Sequence, residues 1–244
     1  MANWSDPRSN AAMRATSVGT GAVAYDAGLR SYMLSVYNYM ASGVLLTGIV
    51  ALLFANSEAA PAILFGPGIL KYLIMFSPLA FVMVLSFGIN RLSTGAAQAV
   101  FWAFAAVMGL SMASIFFVYT GTSIAQTFFA TAAAFAGLSL YGYTTKRDLS
   151  AFGTFLVMGV VGLLVAMVIN IFLQSSALSL VISFVGVLIF AGLTAYDTQR
   201  IKSMYFHVAG TDMMGKTVIM GALSLYLDFI NMFTFLLQFM GDRR

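Results

Sequence analysis

A bundle of seven membrane-spanning helices is the fold class this sequence predicts, an all-α membrane protein. Three observations predict it. Hydrophobic residues make up 61% of the 244 positions and charged residues 8%, whereas a soluble globular domain carries about 25% charged residues. The apolar residues gather into seven runs, each near the roughly 20 residues that a helix needs to cross a bilayer core. Lys and Arg collect between alternate runs, the bias that orients polytopic membrane proteins.

Residues 1–30 read as a polar, disordered cytosolic tail rich in Ala, Gly, Ser and Thr, with Arg8, Arg14, Arg30, Asp6 and Asp26. No short apolar core with a cleavage site follows the first basic residues, so a secretory signal is not expected. Residues 31–244 form the transmembrane domain. The first run is 32–54, followed by a loop with Glu58, Pro61 and Pro67. The second, 72–90, contains Pro78 and ends at Arg91. A proline there frees a backbone carbonyl, which a bundle tolerates when a neighbour satisfies it. The third run is 96–119 and the fourth 124–143, closed by the charged loop Lys146, Arg147, Asp148. The fifth is 152–173 and the sixth 178–197. A polar connection with Arg200, Lys202, His207, Asp212 and Lys216 leads to the seventh, 218–240. Small residues four apart (Gly43 and Thr47, Ala133 and Gly137, Ala191 and Ala195) are expected to let helices approach closely.

With the N-terminus in the cytosol, one side of the membrane collects Arg8, Arg14, Arg30, Arg91, Lys146, Arg147, Arg200, Lys202 and Lys216. The other side holds Lys71, Arg243 and Arg244 if the last run crosses rather than re-enters, and crossing is the expectation. Cysteine is absent, which excludes disulfides, thiolate nucleophiles and Cys-ligated metals. The single histidine, His207, lies in the polar connection and cannot build a multi-His metal site. No nucleic-acid motif is visible, and the 12 Lys and Arg residues are too dispersed for a basic patch.

The last run, GALSLYLDFINMFTFLLQF over 221–239, holds Asp228 near its middle. A charged group at that depth costs roughly 2.5–3.5 kcal/mol on insertion scales, and an intramembrane carboxylate is a functional candidate by default. Residues three and four apart share a helix face, so Ser224, Asp228 and Asn231 form one polar seam, with Gln238 a further heptad on. Ser179, Ser183, Gly186, Thr194 and Asp197 follow similar spacing in the sixth run. Two seams, each bearing an aspartate, suggest a shared internal site, with Arg91 as a cationic partner or latch. The competing reading of Asp197 is an ion pair with Arg200 at a helix end. Two carboxylates brought together cannot both ionise cheaply, so the pair holds one proton between them. Deprotonated, the pair offers oxygen ligands of the kind that Ca²⁺ takes.

These residues also carry a resemblance. The stretch ALSLYLDFIN (222–231) resembles the most characteristic segment of the Bax inhibitor-1 family, and KRDLS (146–150) and AYDTQRIK (195–202) resemble two further family stretches in the same order. The resemblance covers roughly residues 30–240. It implies a seven-helix fold whose C-terminal helix is central, and a pH-sensitive calcium leak with two aspartates as proton sensor. Those aspartates correspond to Asp197 and Asp228, and the family's second-span arginine to Arg91. Some members carry an acidic residue inside the second span, and the run 72–90 has none. If that carboxylate lines the ion path elsewhere, the path here conducts less or runs differently. A bacterial inner membrane is the expected location, with the lipid bilayer, Ca²⁺ and protons as partners.

Three other readings compete with the leak. A regulatory protein that binds a membrane protease or other membrane partner would use the N-terminal tail. A proton-coupled exchanger would use the same mid-membrane aspartate. A hydrolase would need the run GLSMA around Ser111 to hold a nucleophile, together with a general base within reach, and no enzymatic activity is expected.

Overall fold

The computed structural model describes the backbone of residues 7–244 and the side chains of residues 27–244. Up to residue 26, the expected polar tail falls outside the described side chains. Among the described residues the chain is all helical apart from one isolated β-bridge. The elements are α1 (Pro7–Ala55), α2 (Ala59–Phe65), α3 (Leu70–Gly88), α4 (Thr94–Met112), α5 (Ile115–Val118), α6 (Gly121–Thr144), α7 (Ser150–Leu173), α8 (Ser176–Val208) and α9 (Met214–Met240). Seven segments are long and apolar enough to span a membrane: Ala27–Ala55, then α3, the pair α4–α5, α6, α7, α8 and α9.

Two expected boundaries are corrected. The sixth span does not end at Asp197. Helix α8 runs eleven residues further, because the sequence turns polar there without any residue that breaks a helix. It stops only where Gly210 adopts a φ of 75°, the left-handed conformation common just beyond helix ends. His207 is therefore an exposed residue of the last turn of α8 rather than of a loop. The third span is also broken at Ala113–Ser114, where a turn separates α4 from α5.

Helix α9 is the axis of the bundle. Within its most apolar stretch 72% of residues are buried, against at most 39% in the other spans, and α1, α4, α6 and α8 pack around it. Its 27 residues extend about 40 Å, enough to cross a core of about 30 Å. The position of the chain end fits a crossing. Arg243 bridges to Tyr119, Thr120 N–H donates to Asp242 O (3.1 Å) and Arg244 N–H to Val118 O (2.9 Å). The C-terminus thus lies where the third span exits, at the opposite end from the loop 145–149.

Helix packing explains several sequence features. Pro78 has no N–H to donate to Ile74 O, and two hydroxyls take its place: Ser77 Oγ at 3.0 Å and Ser111 Oγ, from α4, at 2.5 Å. Ser111 also donates to Val107 O at 3.2 Å, so its hydroxyl is committed to the α3–α4 joint. At the α6–α8 crossing a Cβ on Gly142 would collide with the carbonyl of Ala195, so only glycine allows that approach. Gly43 packs against Phe101 and Tyr226, as the small-residue spacing suggests. Ala133 and Gly137 do not follow that pattern: Ala133 is exposed, and nothing lies within 4 Å of a Cβ at Gly137.

Two outcomes follow for stability in bilayers or mild detergent. Gly142→Leu should lower it by about 1–3 kcal/mol through overpacking, whereas Gly137→Leu should stay within about 0.5 kcal/mol of the parent. Equal losses would contradict the packing described. Ser111→Ala should cost about 0.6 kcal/mol, the average for an interhelical hydrogen bond in a membrane protein, read by reversible unfolding in mixed micelles.

Candidate functional site

The site is built on α8 and α9, which pack against each other more extensively than any other pair. The α8 seam faces inward: Ser183 and Thr194 are buried, and Gly186 leaves room for the Phe235 ring of α9, 2.6 Å from where a Cβ would sit. Phe235 in turn stacks on Phe190 with centroids 5.8 Å apart. This close contact fixes the register of the two helices, and with it the relative height of Asp197 and Asp228.

Asp228 is 4% exposed. Its Oδ2 is sealed from solvent and has no hydrogen-bond partner. Asn231, Thr234 and Tyr226 of α9 each have a partner. Asn231 Nδ2 donates to Leu227 O at 2.8 Å, and Thr234 Oγ1 to Ile230 O at 2.7 Å. Thr47 Oγ1 donates to Ala105 O (2.8 Å) and so accepts from the Tyr226 hydroxyl (2.6 Å), a joint that ties α1, α4 and α9. Leaving a buried acceptor unmatched costs about 1–3 kcal/mol, and Asp228 is the one carboxylate here that bears that cost.

Asp197 is less enclosed. It lines a cavity of about 250 Å³ with Arg200 of α8 and with Lys216, Thr217 and Ser224 of α9, and Ile89 beyond the end of α3 closes one wall. Arg200 Nη1 stands 3.9 Å from Asp197 Oδ1, with side-chain exposures of 53% and 14%. This is the one ion pair among the described residues, and at such exposure it contributes little stability, about 0.2–1 kcal/mol. Asp197 is thus both an ion-pair member and a wall of a half-open cavity, and it does not sit at a helix end. Ser224, one turn before Asp228 on α9, lines that cavity, and Asp228 lies outside its lining. Asn231 lies further along, half-buried and bonded within its own helix. Gln238 is exposed and meets Ser183 Oγ at 3.4 Å.

Arg91 is exposed in the turn after α3. The cations around Asp197 are Arg200 and Lys216. The N-terminal tail, on which the partner-binding reading rests, lies largely outside the described residues. Among the described residues no group of three or more His, Cys, Asp and Glu side chains assembles to hold a metal. Two carboxylates with hydroxyls nearby fall well short of the six to eight oxygens that a resident Ca²⁺ takes.

Gln199 was missed at the sequence level. Its Oε1 accepts from Leu149 N–H (2.9 Å) and its Nε2 donates to Arg147 O (2.8 Å). Lys202 Nζ donates to Tyr143 O at 2.7 Å. KRDLS and AYDTQRIK are therefore two halves of one clamp, which fastens the loop 145–149 to the polar end of α8. Within that loop, hydrogen bonds from Ser150 hold the Asp148 carboxyl below the usual carboxylate range. The available signal was the occurrence of both stretches in one chain, each rich in side chains able to bond a backbone.

Comparison with known proteins agrees with this architecture. The family model described as "Inhibitor of apoptosis-promoting Bax1" matches residues 29–244. An uncharacterized protein of Rickettsia prowazekii is 47% identical over 90% of this chain and 93% of its own length. The inner membrane protein YbhL of Escherichia coli is 47% identical over 89% of this chain and 94% of its own. An uncharacterized membrane protein of Streptococcus pyogenes is 38% identical over 88% and 94%. The chain is an integral membrane protein that belongs to the Bax inhibitor-1 family.

Proposed function

We propose that this protein is a proton-gated cation leak of the bacterial inner membrane, with Ca²⁺ as the cation, the N-terminus in the cytosol, and Asp197 and Asp228 as the sensor. The observation that supports it best is the sealed, unpartnered Oδ2 of Asp228 on α9, the helix packed against the one that carries Asp197. A carboxylate of that kind is costly to keep in a membrane interior unless it has a task.

In this reading a proton held by either carboxylate removes one negative charge and weakens the attraction of the α8–α9 interface for a cation. When the proton leaves, two anionic groups and the hydroxyls of Ser224 and Thr217 draw a hard, oxygen-seeking ion inward. Arg200 sits 3.9 Å from Asp197 and acts as a resident counterion that an entering cation displaces. Lys216 on the same cavity wall opposes entry and sets a threshold. Arg91 serves as a latch only if the turn after α3 swings inward. Because α3 contributes no acidic side chain, the route runs along the α8–α9 interface.

Full-length protein in Ca²⁺-free liposomes should pass Ca²⁺ with a clear pH dependence, and Asp228→Asn should abolish that dependence. Wild-type-like flux and pH response in Asp228→Asn would remove the mechanism. Protons and Ca²⁺ compete for the same oxygens, so ⁴⁵Ca²⁺ retained by the purified protein should fall as pH falls. Asp197→Asn should flatten that fall.

A further inference from the structure

We propose that the cleft between α1 and α6 is a binding site for one anionic phospholipid, taken from the leaflet on the side of the loop 145–149. The cleft has a volume of about 820 Å³ and is walled almost wholly by apolar groups, with Phe229 of α9 among them. Leu34, Leu45 and Leu140 along it are 50%, 64% and 63% exposed, so the cleft opens sideways towards the bilayer. A second cavity, of about 280 Å³, shares Val44, Phe128 and Phe229 with it and continues to the other membrane face.

Polarity is concentrated at one end. Arg30 lines the cleft from α1 and Tyr143 from α6. Arg30 is exposed and, among the described residues, is paired with no carboxylate. Lys202 Nζ stands 4.8 Å above the Tyr143 ring. One cation, Arg30, thus lines the end of an apolar slot and a second, Lys202, rests on the ring of Tyr143 beside it, which complements a phosphate above an acyl chain. The depth also fits. The 14 residues from Arg30 to Val44 rise about 21 Å, enough for one leaflet's share, about 15 Å, of the hydrocarbon core with headgroup contact above it. Neither cation belongs to the aspartate site, so this inference stands apart from the proposed leak.

Full-length protein purified in detergent and given equimolar phosphatidylglycerol and phosphatidylcholine with the same acyl chains should, in native mass spectrometry, retain phosphatidylglycerol preferentially. Arg30→Gln should reduce that preference about fivefold, the worth of one basic residue near an anionic surface. Ala136→Trp, inside the slot, should expel both lipids, and Gly137→Trp, beside it and facing open space, should not. Equal retention of the two lipids by the parent, or retention unaffected by both Arg30→Gln and Ala136→Trp, would overturn the proposal. So would a dimer that Ala136→Trp dissolves, because the occupant would then be a second copy of this chain.

Discussion

The architecture depends on one constraint: a helix enclosed by others, in a medium without water, must settle every polar group internally. Helix α9 meets that constraint at Tyr226, Asn231 and Thr234, each with a partner of its own, and leaves it unmet at Asp228 Oδ2. The surrounding helices fit this arrangement. Helix α4 joins α1 and α9 through Ala105 O and Thr47, α8 is held against α9 by Gly186 and Phe235, and α6 reaches α8 only because Gly142 has no side chain. Among the described residues the Tyr32 hydroxyl of α1 is the other buried polar atom without a partner, but Asp228 alone is a carboxylate, and that is the strongest physical argument for its having a task.

The two ends of the bundle are held differently. At the end bearing the loop 145–149, side chains do the work: Gln199 and Lys202 of α8 reach across to Arg147, Leu149 and Tyr143. At the opposite end, backbone pairing does it, with residues 242–244 laid against 118–120. Both anchorages act on helices adjoining the aspartates. The cavity holding Asp197 is therefore bounded by elements fixed at their ends, while α3, little buried and lacking acidic groups, is the least constrained neighbour of its wall.

Much of this was legible in the sequence because hydrophobic run length reports directly on membrane crossing. The seven spans and the depth of Asp228 follow from that alone. Pro78 marked a carbonyl in need of a donor, but that Ser111 would supply it is a matter of which helix lies alongside, and spacing within one run does not encode that. Asp197 read as a helix end because hydropathy falls there, yet hydropathy reports on the medium and not on helicity, and nothing between Asp197 and Val208 breaks a helix. The break at Ala113–Ser114 lies within a continuous apolar run without Pro or Gly to mark it. Spacing along one helix already offered Arg200, three residues from Asp197, as its partner, and that pair is present; Arg91 was offered on charge alone and is exposed in the turn after α3. The cleft between α1 and α6 left no trace in the sequence, since a gap between helices has no periodicity of its own.

The most direct measurement is an infrared pH titration of the protonated-carboxyl C=O stretch in the full-length protein in lipid. Two aspartates acting as one sensor predict a protonated-carboxyl band that Asp228→Asn removes and whose midpoint moves when Asp197 is replaced by Asn. A band indifferent to Asp197→Asn, or none assignable to Asp228 at any pH, would contradict the account.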